Sequence, residues 1–533
     1  MTIIPKLRKE TKRIKIHNEE LVDEYGWIKQ KNWQDVLKNP KKLNKEVANY
    51  LFQENLYTRE QLKNKSHLEK EIFQELKNRI KDKDSSVPIK DGSYQYFSEY
   101  KEGSEYPTFK RVNAKNNIET IFDAQKKSKG HKFFNLSSVS HSHNHHLIAY
   151  NVDTNGSENY FLSIEDLNSK KTVTDKIPNT TGEIIWDIDN KHIYYIVLDK
   201  NHRPNKIYKH KIGLDYKKDE LIFEEKDPAF FCSVSLSQSK EYLFIRSGDH
   251  QTSEYYIKNL KNKNSEIKIF SPRVEKIEYE LDHGSGLFYI LTNSNECKNF
   301  KIMRCQENNF SKDNWQDFIA YKDDVLILDF VILKNWLIYL QRNEGLNKII
   351  IQNLKSKESH SVKFNEEAYD LSLFNQYEFD TDWIRFSFSS PITPKSTFDY
   401  DCQKRERVLK KIQEIPSGFN SNLYVCKRFF CLSHDGVKIP LTVFHKKDLK
   451  LDATNPVLLY GYGSYGITIP DSFSTNRFSL IDRGFIYAIA HIRGGQEKGQ
   501  EWYEAGKLLK KKNTFLDFIR CAEFLCEKKY TSP

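Results

Sequence analysis

Nowhere in these 533 residues does an apolar run approach the ~20 residues that a bilayer-spanning helix needs. The opening MTIIPKLRKETKR turns charged before an apolar leader segment can form. Both absences point to a soluble, cytoplasmic protein with no membrane partner. The eight cysteines are scattered and contain no CxxC pair, and Cys521 and Cys526 are poorly placed for a bridge on one helix. Sparse thiols in so long a chain fit a reducing compartment. Charge of one sign is missing too, because 84 basic residues are offset by 73 acidic ones, leaving a formal +11. Only Lys6 to Lys15 and Lys507 to Lys512 are locally basic. A nucleic-acid footprint would gather the excess on one face among aromatics, so no nucleic-acid partner is expected.

Aromatics are abundant, with 30 Tyr and 34 Phe, enough for large buried cores. Residues 1–82 read as a helical extension. Val47, Tyr50 and Leu51 share one helix face, and Leu68, Ile72, Phe73, Leu76 and Ile80 recur near the helical period. Ser66 with Glu69 three residues later predicts a capping box at the start of the second helix.

Residues 83–414 change to short aromatic and β-branched strands separated by polar turns. Tyr150, Tyr195, Phe244, Tyr289 and Tyr339 lie roughly 45 to 50 residues apart, the spacing of four-stranded propeller blades. The stretch from Tyr94 to Glu414 then holds about seven blades. Two stacked β-sandwiches would not produce so steady a repeat. Residues 415–533 change again. Two strands flank a His434-Asp435-Gly436 turn, and NPVLLY and GFIYAIAHI are apolar enough to be buried on both faces. Asn513 to Lys528 is amphipathic, with Phe515, Phe518, Ile519, Ala522 and Leu525 on one side. The fold class is therefore mixed: a seven-bladed β-propeller, N-terminal helices and the opening, incomplete portion of an α/β domain.

Gly461 to Gly466 matches G-x-G-x-x-G literally, but the loop runs into Ile467-Thr468-Ile469-Pro470, which opens no helix for a pyrophosphate. No cofactor is expected. His141, His143, His145 and His146 form a dense histidine cluster, read as a solvated hairpin turn rather than a metal site. None of the 21 glycines has Ser two positions later, so the chain holds no G-x-S-x-G elbow.

Taken together, Tyr460 to Gly466, Asp482-Arg483-Gly484, Arg493-Gly494-Gly495-Gln496-Glu497 and Lys510 to Phe515 resemble the prolyl oligopeptidase family in order and spacing. They are most similar to its oligopeptidase B branch, serine peptidases that cut short peptides after Arg or Lys. Asp23 to Trp27 and Gly92 to Arg111 extend the resemblance over nearly the whole chain. The resemblance implies a propeller capping an α/β-hydrolase domain, with the N-terminal helices packed on the hydrolase. It also implies that Tyr462 stabilises the oxyanion, and that the Ser-Asp-His triad and the P1-binding acids lie beyond Pro533. Gln496 stands where relatives usually have a third glycine, at a cost if that position needs positive φ. The expectation is a truncated homologue, inactive alone, with short basic peptides as substrates if the site is completed. A complementing C-terminal hydrolase fragment is then the natural partner. The alternative is a propeller that serves only as a binding module. An incomplete sheet would also leave the hydrolase portion poorly packed.

Overall fold

Strands such as Leu147–Asp153 and Tyr242–Gly248 bury nearly every side chain, so each needs cover on both faces. The computed structural model describes residues 3–262, 264–374 and 377–533. It meets this need by stacking antiparallel meander sheets in chain order. Five are four-stranded, spanning 89–123, 231–271, 279–319, 326–361 and 370–412, and one is seven-stranded, spanning 135–224. Within the seven-stranded sheet, Thr172–Trp186 pairs first with Tyr160–Asp166 and then, from Thr180 onward, with His192–Leu198. Left-handed residues at Lys176, Asn179 and Gly182 break that long strand between its two partners.

The apolar cores lie between successive sheets. Tyr96 and Phe122 pack with Ile148 and Tyr150, Phe244 and Ile257 with Phe288 and Ile290, and Ile338 and Ile351 with Phe386 and Tyr400. The seam between the last sheet and the first is polar instead. Lys90 pairs with Glu378 (3.2 Å), Lys411 with Asp84 (2.7 Å), and Arg385 donates to Pro88 O (2.8 Å). These are the sheets of a β-propeller whose ring closes on side-chain contacts.

The chain divides into two units, Met1–Arg79 and Ile80–Pro533. The first is not wholly helical as expected. Lys12–Ile16 and Glu19–Asp23 form a hairpin whose two-residue turn, His17-Asn18, takes left-handed φ values of 53° and 64°. Asn and His tolerate that region better than most residues, and such a turn matches the twist of the strands. Helices follow at Trp33–Lys38, Lys45–Leu62 and Ser66–Asn78. The capping box is absent: Ser66 is already helical, and its N–H bonds Lys63 O through the intervening turn Lys63–Lys65. The helix is entered from another helical turn, so Ser66 has no extended backbone from which to cap. Of the predicted face residues Val47 is buried, whereas Leu51 is 48% exposed. No helix of the described residues is long and apolar enough to cross a membrane.

Asn44 is a true cap, its Oδ1 accepting from Glu46 N (2.8 Å) and Val47 N (3.3 Å). Asn44→Ala should cost about 1 kcal/mol and Ser66→Ala only a few tenths. Amide exchange of Lys45–Leu62 and Ser66–Asn78 in the two variants measures the difference.

Candidate active site

The last part of the second unit is one four-stranded sheet in the order Tyr424–Leu432, Lys438–Lys446, Ile486–Ala490, Val457–Tyr460. The first three run antiparallel and the last pair parallel, with Val457 opposite Ile486 and Tyr460 opposite Ile489. Ile439, Leu441, Val443, Ile486 and Ala488 make a fully buried core with Cys521 and Leu525 of the helix Lys512–Glu527. One face of this portion is therefore well packed.

The helix is rotated from the face read in the sequence. It buries Thr514, Asp517, Cys521 and Leu525, while Phe515 (62%) and Ile519 (52%) are exposed. The cause is Asp517, a carboxylate that is completely buried because Arg493 meets it there. Arg493 Nε lies 2.8 Å from Asp517 Oδ2 and Nη2 lies 2.6 Å from Oδ1. Its other edge holds Asp435, at 2.5 and 3.2 Å, and Nη2 also donates to Ser433 Oγ (3.1 Å). One planar guanidinium thus ties together the strand end, the His434-Asp435-Gly436 turn and the helix. The bonds to Asp517 hold the Arg493 pKa above its ordinary value despite burial.

Two glycine loops meet beside the Arg493 backbone. Gly463 has φ +66°, and a Cβ there would fall 2.5 Å from Thr514 Cγ2. Gly494, at φ +100°, would place a Cβ 2.0 Å from Gly463 O. Only glycine lets the two loops touch. Gly466 N donates to Gly494 O (3.0 Å), and Thr514 Oγ1 donates to Arg493 O (2.7 Å). Lys511 Nζ bonds Gly463 O and Ser464 Oγ, the latter at 2.7 Å, and burial pushes its pKa down. Tyr462 rides on this braced loop, 43% exposed, and its hydroxyl has no hydrogen-bond partner among the described residues. Gln496 does not lie at positive φ. Its replacement of glycine therefore carries no backbone cost, and its side chain bonds Gln500 Oε1 (2.6 Å).

A second buried group escaped the sequence reading. His491 Nε2 lies 3.3 Å from Asp471 Oδ1 and 3.1 Å from Thr442 Oγ1, and Nδ1 lies 3.9 Å from Glu497 Oε1. Burial alone would lower the His491 pKa, but the two carboxylates outweigh it and hold it at about 9. Asp471 stays below the usual carboxylate range, the His491 charge prevailing over burial. In the sequence, only a histidine closing an apolar strand hinted at this cluster. From the propeller side, Arg342 reaches Thr468 Oγ1 (2.7 Å) and Gln496 O (3.3 Å), and Asn299 Oδ1 accepts from Gln500 N (2.8 Å). Both glycine loops are thereby held on the sheet side and on the propeller side.

The histidine run is placed differently from its reading as a solvated turn. The His141 side chain is 8% exposed and bonds Asp91 (2.8 Å), and burial lowers the pKa of His143. The turn after the strand Asn135–His141 is mixed: Ser142 is buried and His143 and His145 half-buried, whereas Asn144 and His146 are exposed.

Residues 5–413 match the prolyl oligopeptidase N-terminal beta-propeller domain, and residues 471–533 match the prolyl oligopeptidase family. Dipeptidyl aminopeptidase BI of Pseudoxanthomonas mexicana is 31% identical over 97% of this chain and 72% of its own length. Protease 2 of Moraxella lacunata is 28% identical over 97% and 74%. Among solved structures, oligopeptidase B from Leishmania major superposes with a TM-score of 0.91 at 28% identity, covering 100% of this chain and 78% of that one. Oligopeptidase B from Trypanosoma brucei, with covalently bound antipain, gives 0.90 at 29% over 99% and 77%.

Arg493→Met leaves Asp517 buried without its cation and should cost about 3–5 kcal/mol. Arg493→Lys should recover only part of this, because an ammonium lacks the two-edged fork. Amide exchange of Ile486–Ala490 and Lys512–Glu527 reads both variants, and wild-type protection in Arg493→Met would refute the bracing role. His491 carries the opposite pH signature from an acid. Its folded pKa lies above the unfolded 6.5, so its contribution is complete below pH 6.5 and is lost as pH rises through about 9. Stability should fall by about 3 kcal/mol across that window, and His491→Gln should lack this fall. Urea denaturation of both proteins at pH 6.5 and 9 gives the comparison.

Proposed function

Because the chain belongs to the prolyl oligopeptidase family of serine peptidases, we propose that it supplies the propeller and the first half of the catalytic domain of an oligopeptidase B-type enzyme. Its substrates are short peptides cleaved after Arg or Lys. The observation that carries this reading is the free edge of the sheet. Val457–Tyr460 pairs with Ile486–Ala490 on one side only, and the helix Lys512–Glu527 leaves Phe515 and Ile519 exposed to solvent. A further parallel strand added at that edge would end beside the Gly461 to Gly466 loop. In α/β sheets the chemistry sits at such strand ends.

Tyr462 is the residue of this chain with a catalytic role, its free hydroxyl donating to the oxyanion. The nucleophile belongs to a G-x-S-x-G elbow that the 533 residues do not contain. By themselves they bind without hydrolysing, and turnover requires a segment carrying the Ser, Asp and His. In this reading residues 1–82 form the helical extension, 83–414 the propeller and 415–533 the partial hydrolase domain. The seven-stranded sheet counts as two blades sharing Thr172–Trp186, for seven blades in all. The protein works in the cytoplasm.

The 533-residue chain, mixed with a hydrolase fragment bearing the elbow and its two partners, should cleave fluorogenic peptides after Arg or Lys, and neither component should do so alone. In the active pair Tyr462→Phe should lower kcat about 100-fold with little change in KM. A well-folded pair without turnover would sink the proposal, as would cleavage confined to proline sites. Fluorophosphonate labelling of the 533-residue chain alone would overturn the account of the nucleophile.

A further inference from the structure

The peptidase reading leaves the histidine run unused. Asp91 ends the first strand of the first propeller sheet, Ile89–Asp91, and His141 ends Asn135–His141 of the second. Asp91 Oδ2 and His141 Nε2 are 2.8 Å apart, with both side chains about one-tenth exposed. His145 follows in the next turn, at φ 63°. One donor atom from each of Asp91, His141 and His145 lies within 4.8 Å of the other two.

The surroundings orient these donors. Tyr96 OH lies 2.8 Å from His145 Nδ1, which occupies that nitrogen and leaves Nε2 for a ligand bond. The Tyr96 ring also stacks on His141 at 3.6 Å and 5°, fixing the plane of the second imidazole. A Cβ on Gly92 would sit 3.0 Å from His145 Nε2, so the glycine keeps the approach to that nitrogen open. Asp91 and His141 line a cavity of about 570 Å³ together with His143, Lys240, Asp282 and Tyr377. That cavity provides an entry path.

We propose that Asp91, His141 and His145 bind a divalent transition-metal ion, Zn²⁺ being the representative, that cross-links the first and second propeller sheets. Two imidazole nitrogens and one carboxylate oxygen are the donor set such ions prefer, with an open position left for water. Donors on one ion stand roughly 3–3.5 Å apart at bond lengths near 2.0–2.1 Å. The donors, none more than 4.8 Å from another, draw together toward that separation when an ion binds. Tyr96 is the outer partner that sets the His145 tautomer.

Two cations face the site. Lys240 Nζ lies 3.6 Å from Asp91 Oδ1, and Arg111 donates to His145 O. The ion therefore takes Oδ2, and Lys240 weakens its binding.

The test is calorimetric titration of the chelator-treated 533-residue chain with ZnCl₂, together with the visible absorption of Co²⁺ in the same site. One ion per chain is expected. His145→Asn keeps a residue suited to left-handed backbone and leaves the Asp91–His141 contact in place, so a loss there does not reflect misfolding. His145→Asn and Asp91→Asn should each weaken binding at least about 100-fold, and Tyr96→Phe about 10-fold. Lys240→Ala should tighten it, and His146→Ala, an exposed neighbour, should leave it unchanged. Uptake that is not one ion per chain would overturn the site, as would equal uptake by wild type, Asp91→Asn and His145→Asn. In either case the His141–Asp91 pair is only a structural contact.

Discussion

Everything at the sheet end of this protein is arranged around the buried Arg493 guanidinium. A cation removed from water is tolerable only when carboxylates surround it with good geometry. Asp517 and Asp435 provide them from a helix and from a hairpin turn that are distant in the chain. Meeting that demand turns the helix Lys512–Glu527, so that a polar residue faces the core and two large apolar ones face solvent. It also fixes where residue 494 emerges, and with it the contact between the two glycine loops. The loop that displays Tyr462 is held in turn by Gly494, Lys511 and Thr514, which this arrangement brings beside it.

The same economy of charge recurs at the junction with the propeller. His491 remains cationic between Asp471 and Glu497, and Arg342 crosses from the propeller to bond the loop at Gln496. Polar groups buried this way are costly to disturb but specify one geometry, which apolar contacts alone do less well. The propeller follows the opposite rule over most of its circumference. Apolar cores join each sheet to the next, and polar contacts carry only the seam from last to first, near the histidine group at the cavity rim.

The half-open sheet places the polypeptide between structure and catalysis. One face of the sheet is sealed by Cys521 and Leu525, while Phe515 and Ile519 on the same helix face solvent. In the proposed function, the Tyr462 hydroxyl on its braced loop acts only beside a nucleophile. The unpaired strand edge, the exposed Phe515 and Ile519 and the free Tyr462 hydroxyl are the features on which that proposal rests.

Much of this was legible along the chain. The spacing of Tyr150, Tyr195, Phe244, Tyr289 and Tyr339 reflects a local period, and local periods survive in sequence because each strand must bury both faces. The glycine loops were legible for a similar reason, since only glycine permits the close approach and tight turns they contain. The Ser66 capping box and the wholly helical N-terminus were misread, because a neighbouring turn and a two-residue hairpin decided them. The burial of Asp517, the charge on His491 and the convergence of Asp91, His141 and His145 depend on groups 24 to 84 residues apart in some contacts and on adjacent sheets in others. Repeat, family and loop chemistry are properties of residues near one another in the chain. Which charge is buried, and which face a helix turns inward, are settled only when remote elements exclude water together.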